Sequence, residues 1–248
     1  MNVFLTIFVY NIAYEVDMLK YETDILGENP RNLVIFLHGY NGTVADHQYA
    51  FDWFKKYLHN AIFIVPHAPE ISDKNPQKLQ WFGMMKYDPE NIRALPETTS
   101  DEIFAVYNKA GTDIDLCAQL INFFINEMQE KYGVDDAHTF LCGFSQGAML
   151  TVYTALSRYA TLGGAFAFSG LVAGAEMLKS KINSRPQIYL FHGKDDLKVQ
   201  FKTLSISANW LVQQKVPVGV KTYSGLAHKM NEEEIRTASE IINLAASL

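Results

Sequence analysis

The sequence lacks any concentration of basic charge. Its 248 residues include 21 lysines and arginines against 27 aspartates and glutamates, which gives a formal net charge of −6. The longest basic run is the pair Lys55-Lys56. Proteins that hold a phosphate backbone need clustered lysine and arginine. The composition therefore argues against nucleic acid as a main partner.

Cysteine is scarce as well. Cys117 and Cys142 are too few for a disulfide framework in a chain of this length. Cys142 ends an apolar run and Cys117 lies in a helical pattern, so both are predicted to be small buried side chains. The seven histidines are dispersed without an HxH or HxxxH pair, and there is no glycine-rich phosphate loop. We therefore predict no metal site and no cofactor.

The sequence also has no apolar run of membrane-spanning length. Residues 3–13 are apolar but too short to cross a bilayer, and no lysine or arginine precedes them as in a signal peptide. Two interpretations remain, an added strand or an extension of residues 1–17 upstream of a start at Met18. We expect a cytoplasmic protein without stable membrane insertion.

What the sequence does contain is an alternation of short apolar runs with helical patterns. Continuous apolar runs are typical of strands that are buried on both faces of a parallel sheet. The alternation predicts a single α/β domain over residues 1–248, with a doubly wound, mostly parallel sheet flanked by helices. The predicted strands are 33–37, 61–65, 139–143, 165–168, 187–191 and 218–223, and the predicted helices are 114–128, 146–158 and 231–245.

One segment interrupts the alternation. Residues 66–111 contain five prolines and no convincing strand, and a connection of this length is usually functional or disordered. The segment is too apolar for a disordered tether. We predict a lid or binding loop over residues 68–110, in which Leu79, Trp81 and Phe82 line an apolar acyl channel. For any one of these side chains, filling the core is an equally good interpretation.

A Gly-x-Ser-x-Gly motif surrounds Ser145. The apolar run 139–143 stops at the first glycine, and a helical pattern starts at Gln146. This strand–turn–helix setting is what the nucleophile elbow of an α/β-hydrolase requires. The helix that follows would point its positive end at an oxyanion formed by attack of Ser145.

A serine hydroxyl needs a positioned base, and in this fold the acid and then the histidine follow the serine along the chain. His192 precedes any acid that could orient it, so His228 is the predicted base. The candidate acids are Glu176, Asp195 and Asp196. Glu176 lies in a helical stretch, and spacing does not choose between the two aspartates.

Two backbone amides are predicted to form the oxyanion hole. One is the amide of Gln146, directly after the nucleophile. The other is the amide of Tyr40, since Gly39 lets the chain turn toward the site after an early strand. His38 precedes that turn, and we expect it to support the loop by hydrogen bonding.

These motifs together resemble the phospholipase/carboxylesterase group of α/β-hydrolases, which includes the acyl-protein thioesterases. The resemblance implies Asp196 as the acid, the amides of Tyr40 and Gln146 as oxyanion donors, and carboxylic esters or thioesters as substrates. The matching pieces are Leu37-His38-Gly39, Pro66-His67-Ala68-Pro69, Trp81-Phe82, Gly143-Phe144-Ser145-Gln146-Gly147-Ala148, Ser169-Gly170, His192-Gly193 with Asp196, and His228.

The sequence departs from the family pattern near the pocket. Gly83 replaces an acidic residue that commonly follows Trp-Phe, Tyr40-Asn41 replaces a Leu-Gly pair, and Leu197 replaces a proline. No catalytic group is lost, but the substrate preference is left open.

The leading hypothesis is a Ser145–His228–Asp196 serine hydrolase. Its partners would be a small acyl ester, a lysophospholipid or an acylated protein. The alternatives are a non-catalytic binding protein with this fold and a peptidase. The sequence leaves open whether the protein forms a homodimer.

Overall fold

The central feature of the computed structural model is a sheet of seven strands. The structure describes residues 5–9, 12–16 and 19–245, and the predicted start at Met18 lies outside them. The strands are β1 (Leu5–Val9), β2 (Ile12–Val16), β3 (Tyr21–Leu26), β4 (Asn32–Leu37), β5 (Ala61–Pro66), β6 (Glu70–Ile71), β7 (Leu79–Gln80), β8 (Thr139–Phe144), β9 (Gly164–Phe168), β10 (Ile188–Gly193) and β11 (Val218–Tyr223).

The central sheet has the order β11-β10-β9-β8-β4-β5-β3, and its neighbouring strands are parallel except for β3, which is antiparallel to β5. Every residue of β4, β5 and β8 is buried, as expected for strands covered on both faces. The helices are α1 (Gln48–Tyr57), α2 (Ser100–Lys109), α3 (Gly111–Tyr132), α4 (Gln146–Ser157), α5 (Ala175–Lys179), α6 (Thr203–Gln213) and α7 (Glu232–Ala245).

The hydrophobic core has two parts, and the sheet separates them because helices cover both of its faces. One part packs residues of α2, α3, α4 and α6 against the sheet, and the other packs α1 and α7. All six predicted strands and all three predicted helices are present, with bounds that shift by a few residues. The predicted fold class, an α/β-hydrolase fold with a mostly parallel sheet, is confirmed.

The structure corrects the prediction for the segment 66–111. It is not wholly irregular, because β6 pairs with β7 and α2 occupies its last part. The start of α2 is a capping box, in which Thr99 accepts from the amide of Glu102 at 3.3 Å and the Glu102 carboxylate accepts from the amide of Thr99 at 2.7 Å. The Thr-x-x-Glu signal was present in the sequence.

Strand β3 was not predicted from the sequence. It is the antiparallel edge strand beside β5, and its side chains are half-buried or exposed. An edge strand of this kind has no continuous apolar run to reveal it. Strands β1 and β2 pair with each other in a separate two-stranded sheet, so strands at the N-terminus are not additions to the central sheet.

The segments 5–9, 12–16 and 19–245 contain no helix that combines the length and the apolar character needed to cross a membrane.

Candidate active site

Ser145 lies at the sharp turn between β8 and α4. Its backbone has φ 56° and ψ −116°, a conformation that non-glycine residues rarely adopt. Its amide donates to the carbonyl of Phe168 at 2.9 Å, which ties the turn to the end of β9. Helix α4 begins at the next residue, so its positive end faces the serine.

The two glycines of the motif allow this turn. A Cβ at Gly143 would clash with the carbonyl of Gly147, and a Cβ at Gly147 would clash with the carbonyl of Leu37. Helix α4 therefore lies close against the ends of β8 and β4, and only glycine fits at both positions.

A chain of hydrogen bonds joins the three residues that the sequence singled out. Nε2 of His228 lies 3.0 Å from Oγ of Ser145, and Nδ1 of His228 lies 2.7 Å from Oδ2 of Asp196. Ser145 follows β8, Asp196 follows β10, and His228 follows β11. The carboxyl ends of three parallel strands thus bring together residues that are far apart in the sequence.

Asp196 is almost completely buried, with 1% of its surface exposed. Its Oδ1 accepts from the amides of Lys198 at 2.9 Å and Val199 at 3.0 Å. Burial alone would raise the pKa of Asp196, but hydrogen bonds from His192 and His228 outweigh burial and hold that pKa well below its usual range. The carboxylate is therefore ionised and oriented toward His228. Asp195, which spacing left open, is exposed and makes no such contact.

The loop after β4 carries the second predicted oxyanion donor. A Cβ at Gly39 would lie 3.4 Å from Cβ of Ser145, so this loop passes directly beside the serine. Asn41 has φ 54°, which completes the turn after Tyr40. In the described part of the chain, no oxygen accepts a hydrogen bond from the amide of Tyr40 or of Gln146.

The structure does not place Trp81 and Phe82, which were predicted to line an acyl channel, in the wall of the cavity beside Ser145. Both side chains are fully buried and lie outside its wall. The side chain of Gln146 accepts from the amide of Trp81 at 3.0 Å and donates to the carbonyl of Phe82 at 2.7 Å. The indole of Trp81 donates to the carbonyl of His38 at 2.8 Å. The Trp-Phe pair therefore anchors the segment behind the site.

Leu79 does not line the cavity either. Its backbone exchanges two hydrogen bonds with Gly42, at 3.0 and 3.2 Å, which join β7 to the loop after β4. The core-filling interpretation that the sequence left open holds for Trp81 and Phe82, and Leu79 packs against that core.

Two further histidines lie near the site. His38 accepts at Nε2 from the amide of Ala68 at 3.1 Å, and its Nδ1 lies 2.9 Å from the carbonyl of Gly39. Burial lowers the pKa of His38 to about 4, so this ring is neutral and supports the loop as expected. His47 was not predicted from the sequence; it lines the cavity, and its ring lies 5.4 Å from that of Phe144.

The cavity beside Ser145 has a volume of about 470 Å³. Its wall combines apolar and charged side chains, and no motif in the sequence pointed to most of them. Besides Ser145, Gln146, His228 and the loop 39–42, it is lined by Asp46, His47, Tyr49, Lys74, Lys78, Met84, Asn91, Arg93, Ala94, Tyr107, Phe144, Met149, Lys198 and Val199.

Both cysteines are free and buried, and burial raises the pKa of each thiol. Within residues 5–9, 12–16 and 19–245, no three histidine, cysteine, aspartate or glutamate side chains are placed to hold a metal ion.

Comparison with known proteins identifies the family of this chain. The profile of the phospholipase/carboxylesterase family matches residues 24–246. The chain belongs to this family. The resemblance inferred from the motifs is thereby confirmed, and so is the assignment of the chain as an ester hydrolase at the level of the family.

Two named proteins and one solved structure are similar to this chain over most of its length. Acyl-protein thioesterase 1 of Saccharomyces cerevisiae is 23% identical over 88% of this chain and 94% of its own length. Carboxylesterase SOBER1 of Arabidopsis thaliana is 26% identical over 83% of this chain and 87% of its own. The crystal structure of esterase PE8 shares the fold, with a TM-score of 0.76 at 24% identity over 92% of this chain and 99% of that one.

Proposed function

We propose that this chain is a serine hydrolase that cleaves carboxylic esters and thioesters through an acyl-enzyme on Ser145. The observation that carries the proposal is the hydrogen-bonded series from Oγ of Ser145 through His228 to Asp196. A hydroxyl, an imidazole and a buried ionised carboxylate in this order are what nucleophilic catalysis at an acyl carbon requires.

In the first half of the reaction, Oγ of Ser145 attacks the carbonyl carbon while Nε2 of His228 takes the hydroxyl proton. Asp196 holds the imidazole in the required tautomer and stabilises the imidazolium. The carbonyl oxygen becomes an oxyanion beside the unpaired amides of Tyr40 and Gln146. Collapse breaks the bond to the leaving group, which departs as an alcohol or thiol after His228 returns the proton.

In the second half, water takes the place of the alcohol or thiol. His228 accepts a proton from this water as its oxygen attacks the acyl carbon, and the proton passes to Ser145 when the carboxylic acid leaves. Apolar side chains in the cavity wall, among them Met84, Met149 and Val199, offer a surface for the acyl chain.

The names of the relatives support both an alcohol and a thiol as the leaving group. A carboxylesterase and an acyl-protein thioesterase of this family align with most of the chain. We include thioesters of acylated proteins and esters of lysophospholipids in the proposed substrate range, because both present an acyl carbonyl to the same nucleophile.

The proposal is tested by pre-steady-state hydrolysis of a p-nitrophenyl ester. We expect the wild type to release a burst of nitrophenol equal to the enzyme concentration, or a Ser145-dependent steady state if deacylation is fast. Ser145→Ala should lose at least about 10³-fold in kcat. The matched control Ser205→Ala, on the exposed face of α6, should keep full activity. Equal rates from wild type and Ser145→Ala would overturn the assignment.

A fluorophosphonate probe separates this proposal from a non-catalytic binding protein. The probe should label the wild type and Ser205→Ala but not Ser145→Ala, because labelling needs an activated serine. Failure to label the folded wild type would contradict the proposed function.

A further inference from the structure

The wall of the cavity carries an excess of positive charge. Lys74, Lys78, Arg93 and Lys198 line it, against the single carboxylate of Asp46. Nζ of Lys78 donates to both carboxylate oxygens of Asp46 at 2.7 Å, so the charges of these two side chains cancel. Of the other three cations, Arg93 is paired with Asp88, whereas Lys74 and Lys198 have no carboxylate within ion-pair distance among the described residues. The formal net charge of the whole chain is −6, so the positive wall does not follow from the overall composition.

Arg93 is the buried member of this set, with 8% of its surface exposed. Its Nη1 donates to Oδ2 of Asp88 at 2.6 Å, but Asp88 lies outside the cavity wall. The carboxylate of Asp88 also accepts from the amide of Ile92 at 2.7 Å. The Asp88 carboxylate thus lies outside the wall and also binds the backbone amide of Arg93 at 3.2 Å, while Arg93 itself is part of the wall. A guanidinium has five N–H donors, more than one carboxylate oxygen uses.

The backbone at Arg93 is fixed as well. The side chain of Gln200 donates to the carbonyls of Arg93 at 3.0 Å and Leu95 at 2.8 Å. The backbone that carries the guanidinium is therefore held by the side chains of both Gln200 and Asp88.

Lys74 and Lys198 lie at the exposed rim of the cavity. In the part of the chain that the structure describes, neither ammonium has a carboxylate within ion-pair distance. Nζ of Lys74 lies 5.6 Å from the centroid of the Tyr40 ring, beside the predicted oxyanion loop. The backbone of Lys198 is held by Asp196 at 2.9 Å. Both charges are thus attached to segments that also position the reacting groups.

We propose that this cavity selects acyl esters and thioesters that carry an anionic group, a carboxylate or a phosphate, and that Arg93, Lys74 and Lys198 bind that group. The inference rests on the proposed function, since it names the substrates of the same site. A guanidinium binds planar carboxylates and phosphates through charge-assisted, often bidentate hydrogen bonds. Positive charge at the rim also raises the rate at which anionic substrates arrive.

Matched ester pairs test this selectivity. On the acyl side, p-nitrophenyl hexanoate is compared with mono-p-nitrophenyl adipate, which has the same chain length and a terminal carboxylate. On the leaving-group side, p-hexanoyloxybenzamide is compared with p-hexanoyloxybenzoate and with p-hexanoyloxyphenyl phosphate. We expect kcat/KM to favour an anionic member by about tenfold or more at low salt, and the preference to shrink as ionic strength rises.

A preference for the adipate ester would place the anionic group on the acyl chain, and a preference for the charged phenyl esters would place it on the leaving group. Comparison of the benzoate with the phenyl phosphate then shows whether a carboxylate or a phosphate is preferred. R93Q and K198Q should each lower the ratio of anionic to neutral kcat/KM several-fold, and R93K should retain more of it than R93Q. K179Q removes an exposed lysine outside the cavity wall, so its ratio should equal that of the wild type. Because K198Q changes an exposed side chain, the test stands even if R93Q does not fold.

A wild-type ratio near one in both series, or a ratio that neither R93Q nor K198Q lowers, would overturn the proposed anion selectivity. The neutral esters keep this outcome separate from failure of the proposed function. If their hydrolysis depends on Ser145 and the ratio is one, only the selectivity is wrong. If no ester is hydrolysed in a Ser145-dependent way, the hydrolase assignment itself fails.

Discussion

The reacting groups and the wall of their cavity are positioned by different means. Ser145, Asp196 and His228 follow the carboxyl ends of strands β8, β10 and β11, so the sheet itself sets their separation. Residues 67–99, which we call the wall segment, contain only short elements. These are the strands β6 and β7, with two residues each, and a 3₁₀ helix of three residues (Ile92–Ala94). The wall segment is held mainly by side chains that bind its backbone.

Carboxylates supply many of these bonds in the wall segment. Oδ2 of Asp73 accepts from the amides of Met84 and Met85, both at 2.9 Å. Asp88 accepts from the amide of Ile92 in the same way. The hydrogen bonds between neighbouring strands join backbone groups, which every residue except proline supplies in full. The bonds that hold the wall segment instead need a carboxylate side chain at a particular position. Substitutions in the wall segment are therefore able to reshape the cavity while the strand ends keep the reacting groups in place.

The largest expected effect is at the strand ends. Asp196→Asn should reduce kcat by about 10⁴-fold, because an amide no longer selects the tautomer of His228 that accepts the serine proton. Asp195→Asn provides the matched control, since Asp195 is exposed and adjacent; its kcat should stay within a few-fold of the wild type. Steady-state kinetics on a neutral ester checks both. Equal losses in the two variants would mean that Asp196 has no special role.

Gly147→Ala tests how tightly the sheet constrains the turn. A Cβ there would clash with the carbonyl of Leu37, and neither backbone segment is able to move freely, so we expect a loss of about 3 kcal/mol in the free energy of unfolding. Gly164→Ala is the control in β9, where the nearest atom to the added Cβ would be a Phe166 ring carbon at 3.4 Å. Urea denaturation measures both variants. A smaller loss at Gly147 than at Gly164 would contradict the close approach.

The contrast between the strand ends and the wall segment also explains which parts of the site could be predicted from the sequence. The strands that carry the reacting groups are continuous apolar runs, and the Gly-x-Ser-x-Gly motif reports a local backbone constraint, so both are visible in one stretch of sequence. His228 followed from chain order, whereas the choice of Asp196 over Asp195 needed the family resemblance, because neighbouring residues differ only in the direction of their side chains.

The wall segment was predicted less well. Its apolar residues Trp81 and Phe82 were assigned to the cavity, but the side chain of Gln146 and the core hold them behind it. Arg93 in this segment and Lys198 outside it line the cavity, and no sequence motif predicts either position. Which side of a loop a residue faces depends on contacts with distant elements, and no local pattern in the sequence reveals those contacts.

Gln146 is the side chain that links the two regions. Gln146→Ala removes the partners of the Trp81 amide and the Phe82 carbonyl, and both groups are left buried. We expect a loss of about 2 kcal/mol in the free energy of unfolding. Gln119→Ala is the control, because Gln119 is exposed on α3 and Asp115, which accepts from its amide, keeps its bonds from Tyr153 and Lys181. This variant should cost less than about 0.5 kcal/mol. Similar losses in the two variants would show that the link contributes no stability.

The smallest effect is expected at Tyr40, whose hydroxyl donates to Asp73 and joins the oxyanion loop to the wall segment. Burial and the neighbouring carboxylate of Asp73 raise the pKa of Tyr40, so the hydroxyl stays protonated as a donor. Tyr40→Phe keeps the backbone amide, and Asp73 keeps both of its bonds to Met84 and Met85. Loss of one partly exposed hydrogen bond costs about 1 kcal/mol, so kcat on a neutral ester should fall by about fivefold at most.

Tyr159→Phe removes a hydroxyl from a side chain that is 89% exposed, and it should leave kcat unchanged. If Tyr40→Phe instead lost activity on the scale expected for Asp196→Asn, the wall segment would be setting the position of the oxyanion loop. The ends of the strands would then not be sufficient to arrange the reacting groups. The oxyanion loop would depend on the wall segment as well as on the sheet.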